Sequence, residues 1–239
     1  MHNLSGVFIK DENDEFFDGK ATVYLFTLIF PHNVERTYYH RTKEAKERWM
    51  SVIKQAIGYS NIDDFYDIKE TIGKGKSGVV KTAYHKKTQK KVAVKVISKK
   101  EMNARHIEMQ RREIEILKMC QHPHIIRLLD LFESEDTIYI VMQHLSSSLF
   151  HYLRKRDFYL SESRAKELIH QMSMALYYLH SFGIAHRDLK LENVLMETDD
   201  DDARLCITDF GLSRMVGPGE TASDPFGTLS YVAPEVLLA

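Results

Sequence analysis

The segment HRDLKLEN, residues 186–193, is the strongest indication of fold and chemistry in this sequence. It places a carboxylate (Asp188), an ammonium group (Lys190) and a carboxamide (Asn193) within one short loop. Asp188 can accept the proton of an attacking hydroxyl, and Lys190 can neutralise charge on a phosphoryl group during its transfer. Asn193 can offer an oxygen to a divalent metal ion. The loop therefore suits phosphoryl transfer, although most charged loops are simply solvated.

Four further motifs accompany this loop in a fixed order. They are GKGKSGVV at 73–80, VAVK at 92–95, TDFG at 208–211 and VAPE at 232–235. A glycine-rich loop alone is a weak signal, whereas five ordered motifs at these spacings are specific. From about Tyr66 to its last residue, the chain resembles a eukaryotic protein kinase.

The resemblance implies an α+β, bilobal kinase fold. Its N-lobe, 66–143, has an antiparallel sheet and one helix, and its helical C-lobe, 144–239, is incomplete because further helices would follow the VAPE motif. The resemblance also implies ATP and Mg²⁺ as cofactors and serine or threonine side chains of proteins as acceptors. LEN after Lys190 is similar to serine/threonine kinases and differs from tyrosine kinases.

Site residues carry over from the family motifs by position. Catalytic roles fall to Asp188, Lys190, Lys95 and Glu113, and metal binding falls to Asn193 and Asp209. Because a semi-buried ammonium group needs a partner, Glu113 on the following predicted helix is expected to pair with Lys95. The residues expected to bind the nucleotide are Ile72, Gly73, Lys74, Gly75, Lys76, Ser77, Gly78, Val80, Ala93, Lys95, Met142, Gln143, Leu145, Glu192 and Leu195. Glycines in this loop let backbone N–H groups approach phosphate oxygens.

A second set of residues is predicted to regulate the site: Arg187, Thr221, Ser223, Asp224 and Thr228. The resemblance implies that Arg187 pairs with a charge on the activation segment. Asp224 stands where many kinases carry a phosphorylated residue, and Thr221 and Ser223 are candidate phosphorylation sites. Thr228 is expected to hydrogen-bond Asp188 and Lys190.

The first sixty residues have a different pattern. Aromatic and β-branched runs (GVFIK, ATVYLFTLIF and ERTYYHRT) are separated by DENDEFFDG and PHN, which carry turn residues, and this pattern predicts a β-meander. A helix bearing Trp49 follows, with Ala45, Trp49, Val52, Ile53 and Ala56 at helical spacing and Trp49 interpreted as core.

This arrangement resembles the C-terminal half of a pleckstrin-homology (PH) domain. We therefore divide the chain into a PH-like part at 1–60, a linker at 61–65 and a kinase domain at 66–239. In that family the first strands and the loop between them bind lipid headgroups. These strands would precede Met1, so lipid binding by residues 1–60 is not supported. The motifs as a whole resemble the calcium/calmodulin-dependent and protein kinase D-like groups, in which calmodulin is one candidate regulator.

Composition narrows the class of protein further. A net charge of −1 gives no global signal for nucleic acid. Cys120 and Cys206 lack metal-ligand spacing, and two isolated cysteines suit a reducing, cytoplasmic location without a disulfide. The most apolar run, 21–30, has about half of the roughly 20 residues that a membrane-spanning helix needs. His122 and His124 are interpreted as structural, and the acidic run 197–202 as a solvated turn.

Two other function classes remain as alternatives at this stage. The first is a catalytically inactive fragment or pseudokinase scaffold, since the chain stops just after VAPE. The second is a lipid-recruited adaptor, which would need the absent front half of a PH domain.

Overall fold

The computed structural model describes residues 7–17, 22–30, 34–57, 61–75, 78–100, 102–134, 136–217, 219–220 and 227–237. The chain separates into two compact units. One comprises Met1–Arg111 with Asp130–Val141, and the other comprises Arg112–Leu129 with Met142–Ala239. Among the described residues, no helix has the length and apolar character needed to cross a membrane.

The first unit opens with an antiparallel meander and a helix. Its elements are β1 (Phe8–Phe17), β2 (Thr22–Phe30), β3 (Val34–His40) and α1 (Lys43–Ile57), with the strands in the order β1-β2-β3. Apolar side chains on one face of the sheet, including Phe26 and Leu28, pack against Met50 of α1. The predicted meander and helix are therefore present, and we call residues 7–57 the N-terminal module.

The first strand is longer than the sequence pattern predicts. Strand β1 continues through the acidic stretch that we expected to turn, and Phe16 and Phe17 pair with Val23 and Thr22. The pairing shifts register between Asp11 and Glu15. A β-bulge of this kind absorbs irregular residues without ending a strand. Turn-forming residue types alone therefore placed the strand end too early.

The prediction that Trp49 is a core residue is wrong. Trp49 is 55% exposed, and its ring stacks on His40 at 6.0 Å between centroids. Helix α1 instead turns Met50 and Lys46 toward the sheet, where Lys46 forms an ion pair with Asp11. One sheet can bury only one stripe of the helix. The predicted buried side of the helix is therefore wrong by one residue, because we did not expect a lysine to be buried.

A five-stranded antiparallel sheet follows. Its strands are β4 (Tyr66–Gly75), β5 (Gly78–His85), β6 (Lys91–Ser98), β7 (Leu128–Glu133) and β8 (Thr137–Gln143), in the order β4-β5-β6-β8-β7. Helix α2 (Ala104–Met119) lies between β6 and β7 in the chain. These elements match the predicted strands and helix. Residues 61–65 are packed, because Ile62 is only 2% exposed and Phe65 contacts the ring of Phe132.

The second unit is largely helical with short strands. Its elements are β9 (Ser147–Ser148), α3 (Leu149–Arg154), α4 (Glu162–Ser181), β10 (Ile184–Ala185), β11 (Val194–Met196), β12 (Leu205–Ile207), β13 (Arg214–Met215) and α5 (Pro234–Leu237). Ser161 caps α4 by accepting a hydrogen bond from the Arg164 N–H at 3.2 Å. Gly183, with φ +66°, follows its end, as glycine commonly does after a helix. The α4 residues Leu168, Ala175 and Leu179 are buried, as their spacing predicts.

Both cysteines are free and buried in the second unit. Burial raises the pKa of the Cys120 thiol and of the Cys206 thiol to about 11. We expect the folded chain to hold about 300-fold less thiolate than an ordinary cysteine of pKa 8.5, because thiolate fraction follows pKa. Titration with an aromatic disulfide reagent at pH 7.5 should therefore be slow for the folded chain and rapid in denaturant. Equal rates in both conditions would contradict this prediction.

Candidate active site

Four side chains of the HRDLKLEN region and the following segment form one hydrogen-bonded cluster in the second unit. The Thr228 hydroxyl donates to Asp188 Oδ1 at 2.7 Å, and Lys190 Nζ donates to Thr228 Oγ1 at 2.8 Å. Lys190 also forms an ion pair with Asp188 Oδ2 at 2.9 Å. Asn193 Nδ2 donates to Asp188 Oδ2 at 2.9 Å and to its carbonyl oxygen at 2.8 Å. Both oxygens of Asp188 are thus held in place.

Local backbone structure places this cluster. Residues 191–193 form one 3₁₀ turn that leads directly into β11. Strand β11 pairs with β12, and the Thr208 N–H then donates to the Asn193 carbonyl at 2.9 Å. Asp209 follows Thr208. The short hairpin therefore brings the ends of the HRDLKLEN and TDFG motifs together.

His186 supports both motifs, although the sequence analysis gave it no role. One of its ring nitrogens, Nε2, lies 2.9 Å from the Thr208 carbonyl, and the other accepts from the Asp188 N–H at 3.3 Å. Its ring also meets Phe210 edge-on at 5.1 Å. Burial lowers the pKa of His186, which favours the neutral ring that this hydrogen-bond pattern requires. The position of His186 at the start of the HRDLKLEN motif was the sequence feature that could have indicated this role.

Two residues of the site adopt left-handed backbone conformations. Arg187 has φ 65° and Asp209 has φ 64°. Such conformations are uncommon outside glycine and tend to cluster at functional sites. Sequence propensity gives no warning of them, because neither residue is a glycine. Arg187 Nε donates to the Leu212 carbonyl at 2.7 Å.

The electrostatics of the cluster keep Asp188 ionised. Burial alone would raise the pKa of this carboxyl group, but hydrogen bonds from Lys190 and Thr228 and the charge of Lys190 lower it below its ordinary value. A carboxylate with a lowered pKa remains deprotonated throughout the neutral range. Asp188 can therefore act as a proton acceptor without first losing a proton.

Glu113 and Asp209 both lie beside Gly211. A Cβ atom placed on Gly211 would come within 3.3 Å of Asp209 Oδ1 and 3.7 Å of Glu113 Oε2. Glycine at this position therefore leaves room for both carboxylates beside it. Lys95 is buried in β6 of the first unit, and its predicted pairing with Glu113 stays a prediction.

The residues predicted to bind the nucleotide divide between the two units. Ile72, Gly73, Lys74 and Gly75 end β4, Gly78 and Val80 lie on β5, and Ala93 and Lys95 lie on β6. The second unit carries the rest: Met142 and Gln143 at the end of β8, Leu145 just beyond it, Glu192 in the 3₁₀ turn and Leu195 on β11.

The second-unit residues differ in what they can offer a nucleotide. Met142 and Leu145 are buried, whereas Glu192 is exposed. The N–H of Gln143 donates to the Arg127 carbonyl at 3.0 Å. Of the two backbone groups of Gln143, the carbonyl oxygen is therefore the one left for contact with a base. Lys76 and Ser77 lie outside the described residues.

The regulatory predictions are placed only in part. Thr228 makes the two hydrogen bonds expected of it, as given above. Thr221, Ser223 and Asp224 lie outside the described residues, so the proposed pairing of Arg187 with Asp224 stays a prediction.

The acidic turn at 197–202 pairs with basic side chains. Asp199 bonds Lys155 and accepts from Ser147 Oγ at 3.0 Å, and Asp201 pairs with Arg156 Nη2 at 2.8 Å. Near this turn, His124 Nδ1 lies 3.0 Å from the Leu205 carbonyl, which is a structural contact. These groups belong to the packing of the second unit and lie outside the Asp188 cluster.

Removal of the Thr228 hydroxyl gives a direct test of the cluster. We expect Thr228→Val to reduce kcat by about 10- to 100-fold, because hydrogen bonds to charged groups contribute about 1.5–3 kcal/mol each. The loss should also raise the pKa of Asp188. Thr228→Ser keeps the hydroxyl and should stay within about threefold of the parent chain. A Val variant as active as the Ser variant in a peptide phosphorylation assay would contradict this role.

Comparison with known sequences agrees with the geometry. The family described as "Protein kinase domain" matches residues 66–239. A "probable myosin light chain kinase" from Dictyostelium discoideum is 41% identical over 77% of this chain and 52% of its own length. Serine/threonine-protein kinase SIK1 from Mus musculus is 38% identical over 72% of this chain and 22% of its own length.

A yeast protein extends this set. The carbon catabolite-derepressing protein kinase of Saccharomyces cerevisiae is 40% identical over 72% of this chain and 27% of its own length. The chain thus spans about half, or less, of the length of these curated relatives.

Proposed function

The chain belongs to the protein kinase family, and we propose that its residues 66–239 transfer the γ-phosphoryl group of ATP to serine and threonine hydroxyls of protein substrates. One observation carries the proposal above all: the carboxyl group of Asp188 is held by Lys190, Asn193 and Thr228. Phosphoryl transfer depends mostly on positioning and electrostatic stabilisation, and a fixed carboxylate beside a fixed ammonium group supplies both.

Each residue of the cluster has a distinct part in the proposed reaction. Asp188 orients the acceptor hydroxyl and takes up its proton as the oxygen attacks the γ-phosphorus, while the bond from that phosphorus to the β,γ-bridging oxygen breaks and ADP leaves. Lys190 offsets the negative charge of the phosphoryl group during transfer. Thr228 keeps both side chains in this arrangement, because its hydroxyl donates to one and accepts from the other.

The donor set around Asp188 fits magnesium. Asn193 Nδ2 is committed to Asp188, so the carboxamide oxygen is the atom left to face a cation. Asp209 adds an exposed carboxylate at the neighbouring motif. Mg²⁺ prefers a few protein oxygens together with phosphate oxygens and water, and it would supply charge neutralisation on the phosphates.

The choice of serine and threonine over tyrosine rests on Lys190, which lies two residues after Asp188, and on the named relatives. The test uses three peptides that are identical except for a Ser, Thr or Tyr acceptor, each assayed with Mg-ATP and with EDTA added. We expect labelled phosphate on the Ser and Thr peptides only, and none with EDTA. Transfer mainly to the Tyr peptide, or transfer that persists in EDTA, would contradict the proposal.

Finer proposals concern the N-terminal module, the kinase group, the location and the regulator. We assign residues 1–60 to a PH-like module, supported by the three-stranded meander followed by a helix, and place the kinase near the calcium/calmodulin-dependent and protein kinase D-like groups. The location that suits two free, buried cysteines is the cytoplasm. Calmodulin stays a candidate regulator, and the N-terminal module is not proposed to bind lipid. Calcium-dependent retention on immobilised calmodulin would decide the calmodulin part.

A further inference from the structure

A buried arginine connects helix α2 to the N-terminal module. Arg111 is 3% exposed, and its Nη1 donates to the carbonyl oxygen of Phe30 at 3.0 Å. The two residues are 81 positions apart in the chain but belong to the same compact unit. Burying a guanidinium group is costly unless hydrogen bonds replace its water, so this contact is specific.

Phe30 belongs to the folded part of the module. It ends strand β2, and its side chain packs against the cluster that contains Phe26, Leu28 and Met50. Arg36 of the neighbouring strand lies over its ring at 5.3 Å. The carbonyl that accepts from Arg111 is therefore held by the sheet and the core of the module.

A second point of approach lies near the start of helix α2. Burial is the main cause that lowers the pKa of Lys99. The positive charge of Lys54, in the last turn of α1, lowers it further, so Lys54 lies within electrostatic range of Lys99. Lys99 is itself fixed by Glu133 and by the Ser134 carbonyl at 2.8 Å. Helix α1 thus approaches the segment between β6 and α2. The hydrogen bond from Arg111 to the sheet of the module is thus the contact that joins the module to α2, and α1 lies within electrostatic range of Lys99.

Helix geometry relates this contact to the candidate active site. Arg111 and Glu113 are two residues apart on α2, which separates their side chains by about 200° around the helix axis. One face of the helix therefore meets the module, while the other carries the glutamate that lies beside Gly211. A rotation or shift of α2 would move both side chains together.

From these contacts we infer that the N-terminal module holds helix α2 in place through the Arg111–Phe30 hydrogen bond, which makes Arg111 a positioning residue for Glu113. The inference rests on the proposed kinase function for its effect on catalysis, but its structural part does not. In this role the module sets the orientation of α2 and takes no part in the chemistry.

The test compares three variants of the full 239-residue chain. Arg111→Met removes the donors but keeps much of the apolar stem. Arg111→Lys keeps a charge and one donor group. Arg112→Met is the matched control, because Arg112 is the exposed next residue on the same helix. Two readouts are needed: amide hydrogen exchange in residues 104–119, and the kinetic constants for ATP and for peptide.

We expect Arg111→Met to speed exchange in residues 104–119 by about tenfold, as loss of a charge-assisted hydrogen bond would do. It should also lower kcat/KM for ATP by about tenfold while the KM for peptide stays within about twofold. Arg111→Lys should recover part of both effects, and Arg112→Met should show neither.

Unchanged exchange in Arg111→Met would overturn the inference, as would an equal effect of Arg112→Met. If Arg111→Met does not fold, amide hydrogen exchange in residues 104–119 of Arg111→Lys decides the question instead. If the parent chain transfers no phosphate, the proposed function fails, but the exchange comparison still decides whether the module holds α2.

Discussion

We expect Asp188→Asn to lower kcat by about a thousandfold or more. General-base catalysis typically contributes 10²–10⁴-fold to the rate, and this variant loses the base. The substitution removes the negative charge and the proton acceptor. It also places an NH₂ group or an uncharged oxygen opposite Lys190 and Asn193, both of which donate to this side chain. Kinetic assay with Mg-ATP and a serine peptide measures the effect.

The control for this variant is Asp202→Asn in the acidic turn of the same unit. Asp202 is exposed and lies outside the Asp188 cluster, so its neutralisation should leave kcat within about twofold, as for most surface substitutions. Nucleotide affinity should be similar in both variants. Residual activity of Asp188→Asn within tenfold of the parent chain would remove Asp188 from the catalytic role.

Gly78→Ala should reduce the free energy of unfolding by about 3 kcal/mol, because a strained backbone position alone costs about 1–3 kcal/mol. Gly78 has φ +140°, and a Cβ there would lie 2.4 Å from the carbonyl oxygen of Val96 on the paired strand. The neighbouring pairing of Val79 with Val96 leaves that backbone little room to move. Urea unfolding measures the loss.

The matched control lies in the same glycine-rich loop. Gly75 has open space around it, since a Cβ there would be 4.0 Å from its nearest neighbour, the Gly78 carbonyl. Gly75→Ala should therefore change stability by less than about 1 kcal/mol. Similar losses in the two variants would show that general loop flexibility, and not the contact with Val96, accounts for the effect.

Much of the fold could be predicted because local patterns and family motifs agree. The capping Ser161, the terminating Gly183 and the apolar stripe of Leu168, Ala175 and Leu179 all lie where helix rules place them. Trp49 shows the limit of such rules. Its helical spacing indicated burial, but the sheet that α1 packs against determines which side of the helix is buried. The buried side carries Lys46, which forms an ion pair with Asp11.

The candidate site divides in the same way. The resemblance to the kinase family predicted the contact of Thr228 with Asp188 and Lys190. It did not predict the supporting contacts of His186, or the left-handed backbone of Arg187 and Asp209. It was equally silent on Arg111. Those features depend on residues far apart in the chain, which no local pattern reports.

A working phosphoryl-transfer site organised around Asp188 requires that the unsubstituted chain itself transfers phosphate. Incubation with Mg-ATP labelled in the γ-phosphate and a mixed serine/threonine peptide pool, with Asp188→Asn in parallel, measures this transfer. We expect labelled phosphoserine and phosphothreonine from the unsubstituted chain and none from the variant. Equal labelling by both chains, or no labelling by an unsubstituted chain that binds Mg-ATP, would refute a phosphoryl-transfer site at Asp188.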